Sequence, residues 1–205
     1  MAKLRLIYFD FHGGRGEPAR LALHIGDIAF EDQRVAFSNW PAIKPQMPYQ
    51  ALPVLEVDGK LLAQSNSINR FVGKLTGLYP KDPWQAALCD EVMDAVEDST
   101  QLLTPTFRIK NDDEKRTARQ ALVDGPLPLS LQQLQGRLEQ SGGKYFADNR
   151  LTVADLKVFA WVKDLKSGNF DYIPTDLTDR VAPLLITHFE RVNTDPKVAA
   201  YYASR

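Results

Sequence analysis

Gln64, Ser65 and Asn66 stand where a hairpin pattern runs into a helix pattern. The first N–H groups of a helix have no intrahelical partner and carry partial positive charge. Beside short polar side chains they make a ready seat for a carboxylate. Ser65 occupies the place expected of the N-cap. The other chemistry-bearing side chains are more scattered. His12, His24 and His188 show no ligand spacing, which predicts no structural or catalytic metal. Cys89 lies on a helical stretch away from any candidate base and reads as a buried apolar residue. The run Gly13-Gly14-Arg15-Gly16 is not a phosphate loop, because neither dinucleotide spacing nor a Walker lysine follows it. Asp94, Glu97 and Asp98, at i, i+3 and i+4, put three acids on one helix face.

The elements that must position these groups follow from the hydrophobic pattern. Leu4, Leu6, Ile7 and Tyr8 form a short strand ending in the glycine-rich loop from Phe9 to Gly16. Glu17-Pro18 opens a helix that Gly26 stops. Residues 30–35 read as a second strand, and 38–44, carrying Trp40, as an irregular segment. Pro53 begins a third strand; Asp58-Gly59 is a two-residue hairpin turn, and Leu61 to Ala63 is the return strand. Ile68, Phe71, Val72 and Leu75 then share one helical face as far as Gly77. A helix between two strands implies a parallel pair, to which the hairpin adds antiparallel strands.

After Leu78-Tyr79-Pro80-Lys81-Asp82-Pro83 the strand signals almost vanish. Helical patterns cover 84–103, 112–122, 129–140, 152–165 and 183–192, with a last short one from Asp195-Pro196. Thr152 and Asp155 form a variant capping box ahead of a helix that is apolar nearly all round and should be buried. The expected organisation is residues 1–77 as an α/β domain, 78–83 as a linker and 84–205 as an all-α domain.

The whole chain has 205 residues, 44% hydrophobic and 25% charged, with a net charge of −1. That is the composition of a soluble globular protein, with no charge imbalance to attract nucleic acid or an anionic membrane. One cysteine excludes an internal disulfide and fits a reducing compartment. No apolar run approaches the ~18 residues of a membrane span, and the N-terminus does not read as a signal peptide, so the expected location is cytoplasmic.

YFDFHGGRGEPARL, NWPAIK, LPVLEVDG, QSNSINRFV and LTVADLKVFAW occur here in order and together resemble the cytosolic glutathione transferases. The likeness is greatest to the sigma class, which includes haematopoietic-type prostaglandin D synthases and lens S-crystallins. It covers essentially the full length. It implies a thioredoxin-like α/β N-terminal domain, an all-α helical C-terminal domain and a homodimer, with glutathione as co-substrate and a small hydrophobic electrophile beside it.

The resemblance also assigns roles. Tyr8 would donate a hydrogen bond to the glutathione sulfur and favour its thiolate, the form that reacts. Arg15 would support Tyr8 and add positive field. Trp40 and Lys44 would reach the glycyl end of glutathione, and Gln64 and Ser65 the γ-glutamyl end. Pro53 would be cis, turning the Leu52 backbone to pair with the cysteinyl unit. Asp98 would reach the γ-glutamyl amine held by the other subunit. Phe9, Phe11 and Phe107 would line the hydrophobic pocket. The loop Asp10 to Gly16 looks one residue longer than the sigma pattern, and Ala51 stands where relatives often carry a longer polar or basic side chain. Two readings stand beside conjugation: a dedicated prostaglandin isomerase and a non-enzymatic crystallin-like protein.

Overall fold

A computed structural model describes residues 2–204. Its first part contains β1 (Leu4–Phe9), α1 (Glu17–Ile25), β2 (Glu31–Val35), a one-turn α2 (Trp40–Ile43), β3 (Val54–Val57), β4 (Lys60–Ala63) and α3 (Ser65–Thr76). The sheet order is β2-β1-β3-β4; β1 and β2 are parallel and the other pairs antiparallel. The crossover and hairpin therefore pair as the pattern predicts. Strand alternation sends Leu4, Leu6 and Leu55 to the face covered by α1 and α3, and Ile7 and Val54 to the face covered by Ile43, Met47 and Leu52. The segment expected to be irregular is a chain of short turns, Phe37–Asn39, α2 and Lys44–Gln46. Pro41 and Pro45 sit early in those turns, where a missing N–H costs nothing.

The remaining elements are helices: α4 (Pro83–Leu103), α5 (Asp112–Val123), α6 (Pro126–Gln140), α7 (Val153–Lys166), α8 (Leu177–Val181), α9 (Pro183–Asn193) and α10 (Pro196–Ala203). Asp82 caps α4, accepting from Gln85 N–H at 2.9 Å. The α6 helix begins three residues earlier than its pattern indicates, because Pro126 and Pro128 both fall in the first turn and neither removes a needed donor. At five residues, α8 is too short to show a period and is absent from the sequence reading.

Two features tie the sheet part to the helices and fix the first loop. Arg20 of α1 is fully buried. Its guanidinium meets Glu17 (3.3 Å), Asp32 (2.9 Å) and the Phe11 carbonyl (3.2 Å), while Glu17 accepts from the Tyr201 hydroxyl of α10 (3.0 Å). A buried guanidinium is tolerable only with its donors matched in this way. The second feature is α7, the predicted buried helix. Val153 N–H donates to the Leu78 carbonyl at 2.9 Å, and α7 packs against α1, α3, α4 and α9.

Candidate active site

Strand β1 delivers Tyr8 to the mouth of the glycine-rich loop, almost completely buried. The loop then makes a tight turn, Gly14–Gly16. The backbone N–H of Arg15 donates to Tyr8 Oη at 3.0 Å. Gly14 has φ +64°, and a Cβ there would lie 2.6 Å from Tyr8 Oη, so both the conformation and the approach require glycine. Burial pushes the Tyr8 pKa up to about 12, against the lowering influence of the Arg15 N–H and the Arg15 and Arg20 charges. The phenol therefore keeps its proton at neutral pH. Its oxygen is already an acceptor, and its O–H is free to donate elsewhere.

Two clefts meet at Arg15, which lines both. The more polar one, of about 550 Å³, is bordered by Leu52, Pro53, Gln64, Ser65, Asp94 and Glu97. The Leu52–Pro53 bond is cis, and Leu52 stands just ahead of the ladder, which begins at Val54. The start of α3 departs from expectation: Gln64, with φ +71°, is the N-cap, and Ser65 is the first helical residue. The chain must reverse sharply out of β4, and a positive-φ residue accomplishes this. Such backbone outliers gather at functional sites. No side chain caps the first turn of α3, so its amides face the cleft as a seat for an anion. The second cleft, of about 730 Å³, is largely aromatic, lined by Tyr8, Phe11, Phe37, Phe107, Trp161 and Phe170.

The junction between the clefts is ionic. Arg15 Nε donates to Glu97 Oε1 at 2.7 Å, and Lys157 of α7 meets Glu97 Oε2 at 3.2 Å and also pairs with Asn66. Among the described residues, buried Arg15 Nη2 has no hydrogen-bond partner. Burial works to raise the Glu97 pKa, but the Lys157 and Arg15 charges outweigh it and hold the carboxyl below its ordinary value. A carboxyl with a lowered folded pKa contributes stability above its unfolded pKa of ~4.3 and loses it as pH falls through the folded value. Glu97→Gln is therefore expected to cost about 1–3 kcal/mol at pH 7, with the gap to wild type closing at pH 3–4. Urea midpoints at the two pH values check this; a gap that stays constant would refute the ionic assignment.

The other sequence-assigned residues divide. Phe11 and Phe107 reach the aromatic cleft, but Phe9 does not. Adjacent strand residues point to opposite faces, and the Phe9 ring stacks on Phe37 (4.7 Å) and meets Trp40 edge-on (5.4 Å). Trp40 and Lys44 lie on α2 and the following turn, and neither lines either of these two clefts. Ala51 does line the polar cleft, with no long side chain to offer. The three acids separate: Asp94 and Glu97 face the polar cleft, whereas Asp98 is exposed on the groove between α4 and α6. Cys89 is fully buried, and burial pushes its pKa up to about 12, so it is no nucleophile. Among the described residues no group of three or more His, Cys, Asp or Glu side chains is arranged to hold a metal ion. Sequence reasoning missed Lys157, Trp161 and Asp164. Their signal was present as polar residues two turns apart, with Trp161 between them, on an otherwise apolar helix.

A mixed four-stranded sheet with a cis-proline loop, joined to a helical part across an aromatic cleft, is the architecture of a cytosolic glutathione transferase. The description "Glutathione S-transferase, N-terminal domain" matches residues 4–74, and "Glutathione S-transferase, C-terminal domain" matches 97–205. The chain belongs to the glutathione S-transferase family, a family of transferases. It is 34% identical to glutathione S-transferase 1 of Ascaris suum, over all of this chain and 98% of the relative. Among solved structures, prostaglandin synthase D of Nilaparvata lugens superposes with a TM-score of 0.88 at 30% identity, covering 99% and 98% of the two chains. A Fasciola hepatica sigma class transferase does so with a TM-score of 0.85 at 28% identity, covering 100% and 97%. The resemblance noted from the sequence, sigma class included, is borne out.

Proposed function

We propose that this protein transfers glutathione to small hydrophobic electrophiles and that Tyr8 activates the thiol. The observation that carries the reading is the Tyr8 hydroxyl itself: buried, protonated at neutral pH, with its oxygen held by Arg15 N–H and its own hydrogen free. Glutathione would lie in the polar cleft, its γ-glutamyl carboxylate at the start of α3 beside Gln64 and Ser65, and its cysteinyl backbone on Leu52 next to Pro53. Its sulfur would then reach the junction, where Tyr8 donates to it and Arg15 supplies positive field. Trp40 and Lys44 would meet the glycyl end. The electrophile would occupy the aromatic cleft. The division into domains at 78–83 belongs to this reading, as does a cytoplasmic location.

Turnover of chlorodinitrobenzene, saturable in glutathione, tests the proposal. Tight glutathione binding without turnover across an electrophile panel would instead favour a crystallin-like binding protein. Isomerisation of a prostaglandin is a second reading, favoured by the likeness to the Nilaparvata lugens enzyme. Release of the isomerised product without a glutathione adduct would distinguish it.

We also infer a homodimer. Tyr49 is 79% exposed and, with Gln50, has positive φ, so the loop holds an aromatic side chain out into solvent. The groove of about 380 Å³ between α4 and α6, lined by Val92, Leu102, Leu129 and Leu134, offers an apolar socket, with Asp98 at its edge. Sedimentation at micromolar concentration should give twice the chain mass, falling to a single chain in Tyr49→Ala. A wild-type monomer would remove both the socket and the cross-subunit role of Asp98.

A further inference from the structure

Consecutive amides of one turn hold two oxygen acids on the wall of the aromatic cleft. Arg15 N–H donates to Tyr8 Oη at 3.0 Å, and Gly14 N–H donates to Asp164 Oδ2 at 2.9 Å. Tyr8 has a role in the proposed function, whereas Asp164, near the end of α7, has none. Its carboxyl is pressed against Gly13, where φ is +115° and a Cβ would sit 2.2 Å from Asp164 Oδ1. Among the described residues no salt bridge neutralises it. Among those residues Oδ1 accepts no hydrogen bond, and Asp164 lines the cleft.

The charged and titratable groups around it come from every neighbouring element: Tyr8 on β1, Glu17 on α1, Tyr202 on α10 and Lys163 beside it on α7. His12, Arg15 and Lys157 line the same cleft. Burial pushes the Asp164 pKa up to about 7; Gly14 N–H and Lys163 oppose this, and Glu17 adds to it. A thiolate arriving nearby acts in the same direction as Glu17. The site thus contains a carboxyl that still holds its proton in a substantial fraction of molecules at neutral pH.

We propose that Asp164 is the proton donor of the aromatic cleft and biases the enzyme toward electrophiles whose attack leaves an anion on oxygen, such as α,β-unsaturated ketones. This rests on the transferase reading. Glutathione first ionises, releasing its thiol proton to solvent. The sulfur then bonds to the β-carbon, the carbon–carbon π pair shifts toward the carbonyl, and the carbonyl π pair moves onto oxygen. The Asp164 O–H bond breaks as its proton passes to that oxygen, giving an enol that tautomerises through water. The carboxylate recovers a proton from solvent. The sum is addition of one thiol across one double bond. Aromatic substitution on chlorodinitrobenzene expels chloride and needs no such proton.

The experiment compares kcat/KM for 4-phenylbut-3-en-2-one and for chlorodinitrobenzene in wild type and Asp164→Asn. Asparagine keeps an oxygen for Gly14 N–H but cannot give up a proton. The expected result is a fall of about tenfold in the ketone-to-aromatic ratio, below the usual ~10²–10⁴-fold of general-acid effects because water also reaches an open cleft. In wild type the same ratio should fall as pH rises through about 7, where the carboxyl ionises. In the variant it should be flat. Taking the ratio cancels thiol ionisation, which both reactions share, and the wild-type profile stands even if the variant folds poorly. A ratio unchanged by the substitution, or independent of pH in wild type, overturns the proposal and leaves Asp164 as a support for the loop. A wild type inactive on chlorodinitrobenzene overturns the transferase reading, and this proposal with it.

Discussion

Tyr8→Phe is expected to lower the conjugation rate at pH 6.5 by roughly 10–50-fold, and the loss should shrink steadily toward pH 9. A free thiol with a pKa of ~8.5 is about 1% ionised at pH 6.5, and lowering that pKa by two units would make it about half ionised. The stabilised thiolate is a weaker nucleophile, which offsets part of the gain. Two units correspond to ~2.7 kcal/mol, within reach of a hydrogen bond to an anion from a largely buried donor. The Tyr8 hydroxyl suits the task because burial keeps it neutral across this range, its pKa near 12, while Arg15 N–H fixes its oxygen. Phenylalanine keeps the ring and its contacts with Phe11 and loses the donor, along with the acceptor of Arg15 N–H. The measurement is the pH profile of kcat/KM for the electrophile at saturating glutathione, in which the inflection should move back up toward the free-thiol value. An unmoved inflection would take Tyr8 out of the mechanism even if the rate fell.

Local pattern made most of the fold legible, since nearly every element has a period or a terminus signal. The parallel β1–β2 pair followed from the helix between them, and the buried α7 from its capping box and all-round apolar surface. The misses have physical causes. Helix α8, at five residues, is too short to repeat an amphipathic period, and the residues at 37–46 form turns whose prolines mimic a loop. At the candidate site, the hairpin and helix start between Pro53 and Ser65 were readable because they are local events, whereas the cis state of Pro53 came from the family resemblance. The Ser65 cap was misplaced by one residue because a positive φ at Gln64 carries no sequence mark. The ionic junction of Arg15, Glu97 and Lys157 was invisible: its members are 82 and 60 residues apart in sequence and meet only through the packing of α4 and α7. The Gly13-Gly14 pair was legible as part of a glycine-rich loop, whose glycines allow unusual backbone angles. What demands that freedom, the close approach of Tyr8 and Asp164, is tertiary.

The same helix governs the largest expected effect on stability. Asp155 is completely buried at the third position of α7, and four donors converge on its carboxyl. Thr152 N–H (2.8 Å) and Oγ1–H (2.7 Å) meet Oδ2, while Phe146 N–H and His188 Nε2 (both 3.0 Å) meet Oδ1. An acceptor-only carboxylate obliges the imidazole to donate through Nε2. Asp155→Ala strands all four donors in the core, at ~1–3 kcal/mol for an unmet buried group, though relaxation keeps the sum below simple addition. A loss of about 4 kcal/mol is expected, a large share of the 5–15 kcal/mol typical of a domain. Thr152→Ala removes one donor to the carboxylate and the capping-box acceptor of Asp155 N–H but leaves the other three donors in place, so about 1 kcal/mol is expected there. Urea denaturation of both variants decides the matter: equal losses would mean that Asp155 acts only as a helix cap. The comparison bears on function because α7 begins against the Leu78 carbonyl and carries Lys157, Trp161 and Asp164 into the cleft. If Asp155 anchors the helix end as its four bonds imply, Asp155→Ala near its midpoint should lose aromatic-cleft binding before the sheet melts, and glutathione should protect the variant less than it protects wild type.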